Sequence, residues 1–335
     1  MKKFIKLFTI LVLALLIFLT VYFSENIKIA VFDSLIFCGS ILIPSLLPMM
    51  FITFLLINSG ALNWLPKKAV GIFIFSITCV SGYPSSGKVF GNLAKNGALK
   101  SSEVQRLIPT TVCAGPAFIV NFIGCTLFNS KLIGIMLYTS LVLSNLVIFL
   151  CCGGAKLSIS KISFKSHKNI LVSSAKESFE AVTAICTYVL IFSAASEIIY
   201  YCFGDLIRKI FIYLTEITGA VTNTKNVYLV CALLSYGGLC VFMQILSLAD
   251  NLKINFLKYI KIRIISCIIS ILLLKILFLI FPQNLNTYTN LDSPAILSIN
   301  SEKACLITLI VTLITLLFSL KRSSTGKFLN DIEVI

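Results

Sequence analysis

Acidic residues and histidine are scarce in this 335-residue chain, with thirteen Asp and Glu in total and His167 the single histidine. General acid–base catalysis needs paired groups held within reach of one another. No clustered nucleophile and base occurs, so the ingredients of a membrane enzyme are missing. Zinc needs three or four convergent Cys, His or carboxylate ligands. One histidine and no C-x-x-C motif make a metal site improbable and give no sign of a cofactor. Most of the twelve cysteines lie inside apolar runs, where Cys behaves as a small apolar residue. Also lacking is any long polar stretch able to form a separate soluble domain. Charged residues make up 12% of the chain, against about a quarter in a soluble globular domain.

What is present is hydrophobic sequence, 58% of residues, at a mean hydropathy of +1.00. Apolar runs cover approximately 4–23, 29–58, 69–81, 107–128, 132–152, 179–203, 206–222, 227–248, 264–281 and 303–320. The net charge of +15 would suit nucleic acid, but the Lys and Arg are confined to loops between these runs. That placement follows the positive-inside rule for membrane proteins and argues against a nucleic-acid partner; the partner is the lipid bilayer. The first run is longer than a usual signal-peptide core and has no A-x-A-like cleavage site after it, so it reads as an uncleaved helix.

Loop charge orders the runs. Lys2, Lys3 and Lys6 place the N-terminus in the cytoplasm, and Lys67-Lys68 return the chain there. Lys88, Lys95, Lys100 and Arg106 keep the next stretch inside, so 69–81 enters and turns back. The loop 153–178 carries five lysines, from Lys156 to Lys176, against Glu177 and is cytoplasmic. The basic stretch with Lys253, Lys258, Lys261 and Arg263 is also inside only if 206–222 re-enters from the outer face. Lys321-Arg322 then leave the C-terminus cytoplasmic.

The expected fold is an all-α polytopic membrane protein of about eight transmembrane helices, at about 20 residues per crossing. Two re-entrant half-helix elements complete an inverted-topology repeat. The plainer alternative is a row of ten helices with one loop breaking the charge rule. The corresponding division is an anchor helix 1–28, a first repeat 29–155, a basic loop 156–178, a second repeat 179–281, and a final loop, helix and tail 282–335.

The interruptions carry the candidate chemistry. Ser81-Gly82-Tyr83-Pro84-Ser85-Ser86-Gly87-Lys88 contains G-x-x-x-x-G-K, but Val89 stands where a P-loop needs Ser or Thr, and no β-strand context surrounds it. Nucleotide hydrolysis is rejected. As a helix break in lipid, the segment must line protein or water. The half-helix after it would aim N–H groups at an anion, with Ser81, Ser85, Ser86 and Lys88 adding donors. The alternative is a tight loop with Lys88 snorkelling to the interface.

Gly115-Pro116, with Asn121 beyond, reads as site lining or as an ordinary Pro kink. Glu216, Thr218 and Gly219 mark the matching break in the second half. An ionisable group at membrane depth is a functional candidate, so Glu216 carries a coupling proton or holds a cation, unless it merely pairs with Arg208 or Lys209. Gln244 is a weaker polar candidate.

The segments resemble the YlbJ-type sporulation integral membrane proteins, which carry the nucleoside-recognition, or Gate, domain. The resemblance rests on Pro44-Ser45-Leu46-Leu47-Pro48, Ser81 to Lys88, Ala114-Gly115-Pro116-Ala117-Phe118, Glu216-Ile217-Thr218-Gly219, and Gly237-Gly238 through Met243-Gln244. It spans about residues 35–280. Cys113 departs from a usual Asn or Ser, Ser86 from a usual small residue, and Phe242 from an expected His. The resemblance implies secondary transport of a small organic anion, with dipicolinic acid crossing the outer forespore membrane as the leading substrate. Lys88 would then be needed for uptake, and Tyr83 would stack on the ring. A nucleoside transporter on the same fold and a non-transporting scaffold for spore assembly are the alternatives. Oligomeric state is open.

Overall fold

The structure, a computed structural model, describes residues 2–154, 157, 169–249, 252 and 254–282. The expected final helix at 303–320 and most of the basic loop lie outside the described residues. Every regular element among the described residues is helical. α1 (Lys2–Tyr22) leads into α2 (Ser24–Phe37), which continues through a π-wound turn, Cys38–Leu42, into α3 (Ile43–Asn58). α4 (Lys67–Ser81) and α5 (Ser85–Lys95) form a broken pair. α6 (Ser101–Thr111) and a π-wound segment, Ala117–Leu127, form a second, followed by α7 (Lys131–Cys151). The order then recurs: α8 (Ile170–Phe203), a broken pair α9 (Asp205–Thr215) and α10 (Ile217–Thr222), another pair α11 (Val227–Tyr236) and α12 (Gly238–Leu248), and α13 (Phe256–Ile280).

Among the described residues, five stretches are long and apolar enough to cross a membrane: Ser24–Asn58, Lys131–Cys151, Ile170–Phe203, Val227–Leu248 and Phe256–Ile280. An integral membrane protein is the class they indicate. Of the other three expected crossings, the 107–128 run is divided, the first helix contributes the shorter apolar stretch Lys6–Tyr22, and 303–320 lies outside the described residues. At about 1.5 Å per residue, neither α4 nor α9 reaches across about 30 Å of hydrocarbon. The 107–128 run is not one helix but the end of α6, a break and a π-wound segment. The 206–222 run is likewise split, at Glu216.

Two boundaries also shift. Ser24–Phe37 is one helix, so residue 28 does not end a separate anchor. α8 begins at Ile170, so 170–178 is helix rather than loop. The π-wound turn after α2 has a local cause, since Pro44 and Pro48 cannot donate to the preceding turn and the wider winding relaxes the ladder just ahead of them.

α7 and the α11–α12 pair are mostly buried, whereas α2–α3, α8 and α13 turn most of their apolar surface outward. α7 packs on Ala117–Leu127 and on α13, α11 packs on α13, and α2–α3 lie along α8. Most buried apolar residues join one contiguous core. In lipid, close backbone approach rather than hydrophobic exclusion drives such packing.

Gly87 provides that approach between α5 and α12, because a Cβ there would sit 2.6 Å from the Ile245 carbonyl oxygen. Gly87→Ala is expected to push the two helices apart and lower stability by about 1–3 kcal/mol, the usual cost of overpacking. Thermal unfolding in detergent, read as loss of the monodisperse peak, checks this; an unchanged midpoint contradicts it.

Candidate functional site

Four breaks, one in each helix pair, surround the centre of the core. At the first, Gly82 has φ +100°, a conformation that L side chains avoid, and Pro84 then starts α5. At the second, Val112 is extended and Pro116 opens the π-wound segment. At the third, Glu216 is extended between α9 and α10. At the fourth, Gly237 and Gly238 both have positive φ. The first two abut: a Cβ on Gly82 would lie 3.6 Å from the Gly115 nitrogen.

Each break frees backbone groups that lipid cannot satisfy, and at the second and fourth breaks side chains from distant elements take up several of them. Asn145 on α7 donates from Nδ2 to the Val112 carbonyl at 2.9 Å. Tyr83 donates its hydroxyl to the Leu234 carbonyl at 2.8 Å. Arg263 on α13, fully buried, donates to the Pro109 carbonyl at 3.0 Å, to Asn145 Oδ1 at 3.1 Å and to the Ser235 carbonyl. Its guanidinium thus serves the C-terminal ends of α6 and α11 together, where the helix dipole favours a cation. Ser266 completes the network by donating to Asn145 Oδ1 at 2.9 Å and accepting from Ser235. No Asp or Glu contacts Arg263 among the described residues, so its charge is offset by carbonyls and dipoles alone.

Between the breaks lies a cavity of about 40 Å³, room for a few waters and far below a ring-sized ligand site. Tyr83 and Pro84, Ala114 and Gly115, Glu216 to Thr218, and Cys240, Val241 and Gln244 line it, one group from each break, with Leu42, Leu46 and Ile185 among the apolar remainder. Glu216 is the charged residue in this wall. It is 8% exposed, and its carboxylate accepts from the Thr218 N–H at 2.8 Å, the Thr218 hydroxyl and the Gly219 N–H. The carboxylate therefore caps α10 and takes the anion's place at that helix end itself.

Of the residues expected from the sequence, Tyr83, Pro84, Gly115, Glu216, Thr218 and Gln244 meet at this cavity. Gly219 lines an adjoining one. The rest do other work. Gly82 shapes the first break. Ser85 and Ser86 donate to the Gly82 and Tyr83 carbonyls, at 2.6 and 3.2 Å, so their hydroxyls cap the turn rather than face a ligand. Ser81 is buried with its hydroxyl lacking a partner and is outside the cavity wall, as are Pro116 and Asn121. Gly87 is a packing position. Lys88 lies 3.8 Å from Glu180 on α8 and does not line the cavity.

Glu216 pairs with neither expected partner, since Arg208 bridges to Glu197 and Lys209 to Asp205, each at 2.6 Å. Arg263, expected in a basic loop, is instead the buried donor of α13. Asn145, Ser235 and Ser266 carry no signal in the sequence beyond being uncharged polar residues inside apolar runs; only the packing joins them into this network.

No protein-family model, curated protein or solved structure matches the chain. What the structure defines is a class: a chain whose described part is all-helical, with membrane-length apolar helices and a small, carboxylate-bearing cavity where its helix breaks meet.

Proposed function

We propose that the chain is a secondary transporter of a small organic acid, moved through the central cavity together with a proton on Glu216. The observation that carries this is the convergence of all four breaks on one cavity with a single carboxylate in its wall. Broken helices meeting between two like-ordered halves are the usual substrate site of transporters built from inverted repeats. The twice-repeated order of long helix, two broken pairs and long helix supports such a repeat here. The small volume supports a mechanism in which the halves must part to load a ligand, which is alternating access.

Charge decides the coupling. No Lys or Arg lines the cavity, so an anion entering beside ionised Glu216 would meet like charge at low dielectric. Protonating Glu216 removes the repulsion and leaves a donor, so anion and proton favour one another's binding. Dipicolinic acid, the substrate implied by the sequence resemblance, then crosses as a coupled load. The setting would be the outer forespore membrane, with both termini on the cytoplasmic side. The absence of a cation from the wall also favours a second reading, a neutral metabolite such as a nucleoside held by Gln244, Glu216 and Thr218.

Purified protein in liposomes, given an inward proton gradient, should take up labelled dipicolinate above the level of empty liposomes. Uridine uptake without dipicolinate uptake selects the second reading, and uptake of neither sinks transport. Lys88→Ala is the internal control. Its ion pair has a half-exposed partner and contributes under about 1 kcal/mol, so the variant should fold and transport as wild type does.

A further inference from the structure

One larger cavity adjoins the central one, and a second lies beyond it. The first, about 210 Å³, shares Val189, Glu216 and Thr218 with it. The second, about 380 Å³, shares Asp33, Ser34, Ser193 and Arg208 with the first. Together they form a row along the groove between α2 and α8, and the Glu216 carboxylate stands in the wall between its two inner members.

The row differs in chemistry from the cavity it leads to. Ser34, Ser193, Ser196, Thr222 and Asn223 line the first of the two larger cavities; each already donates within the protein, which leaves their oxygens as acceptors for water or a cation at a polar, roomy site. The one basic side chain, Arg208, is already paired with Glu197 and lies against the Tyr200 ring. Asp33 and Glu216 remain, and no cation pairs with Asp33 among the described residues. A cleft with excess charge of one sign concentrates the opposite ion, by 10-fold or more. It is therefore tuned for cations and against the organic acid.

We propose that this row of cavities is a hydrated inlet by which a monovalent cation, proton or sodium, reaches Glu216. The inlet is separate from the apolar cavity that takes the organic solute. The inference rests on the transport reading for its purpose, but its geometry can be tested without a substrate. Around Glu216 the other titratable and charged groups are Asp33 on α2, Cys38 in the π turn, Tyr83 ahead of α5, Glu197 on α8, Arg208 on α9 and Cys240 on α12. Of these, Asp33, Glu197 and Arg208 face the inlet, the last two paired with one another.

Ser193→Cys, in protein reconstituted into liposomes, should react from one side of the bilayer with a membrane-impermeant cationic methanethiosulfonate. It should react with the anionic analogue more slowly, by on the order of tenfold, after subtracting wild-type labelling. Asp33→Asn in the same background should reduce that ratio severalfold. Ser34→Cys, which lines the same two cavities, repeats the test if Ser193→Cys fails to fold. No reaction from either side, or equal rates for the two reagents, overturns the inlet. A pH dye inside the liposomes and sodium-free buffer then separate the two ions: acidification on uptake marks the proton, and loss of uptake without sodium marks sodium. Selective labelling without uptake keeps the inlet and discards transport, whereas uptake without selective labelling does the reverse.

Discussion

Arg263→Met is expected to be the most damaging single substitution in the described chain. The Pro109 and Ser235 carbonyls would each lose their donor in a buried core, at about 1–3 kcal/mol apiece. Removing a buried charge relieves some desolvation cost. That relief is small here, because the guanidinium sits against two helix C-terminal ends that already favour a cation. The loss should therefore be several kcal/mol, read as early collapse of the monodisperse peak on heating in detergent. Arg263→Lys separates charge from geometry. It keeps the cation, but its single ammonium cannot present a planar fork to both carbonyls, so it should fall between wild type and methionine. A methionine variant as stable as wild type would show that the two half-helix ends do not depend on this residue.

The second large effect is functional and belongs to Glu216. Glu216→Gln preserves size but offers one oxygen in place of two. Of the Thr218 and Gly219 N–H groups that the carboxylate now accepts, one would lose its partner, at about 1–3 kcal/mol. Under the proposed coupling the larger consequence is on transport. A glutamine cannot release a proton, so accumulation driven by a pH gradient should fall to the level of empty liposomes. Exchange of labelled for unlabelled solute at equal pH needs no net proton movement and should survive. If the variant still accumulates solute against its gradient, Glu216 does not carry the coupling proton. If exchange is lost as well in a folded variant, the carboxylate binds the solute rather than the proton.

Much of this was legible locally. Glycine, proline and polar residues interrupting apolar runs placed the first three breaks, and the fourth was visible as Gly237-Gly238, because lost donors and left-handed conformations are properties of individual residues. Glu216 stood out for the same reason, as a carboxylate inside an apolar run. Lys88 misled for a complementary reason. Its charge is plain in the sequence, but its partner depends on the face of α5 that meets α8, and Gly87, one position earlier, turns the neighbouring face onto α12. The serines before it looked like ligand donors because their hydroxyls are adjacent to a helix start, yet the same position suits them to the turn's own carbonyls. Nothing local connects Asn145 to Arg263, which lie 118 positions apart on helices that only the packing makes neighbours.

The sequence by itself determined that the chain is helical, that it is apolar enough for a membrane, and where its helices break, since hydropathy, backbone freedom and missing N–H donors act within a few residues. Tertiary structure alone decided that the breaks meet, that Arg263 and Asn145 satisfy the carbonyls they expose, and that the cavity presents a carboxylate instead of Lys88. Those outcomes depend on which distant side chain reaches a freed backbone group: Ser85 and Glu216 serve groups beside them, whereas the Pro109, Val112 and Ser235 carbonyls are met only from other helices.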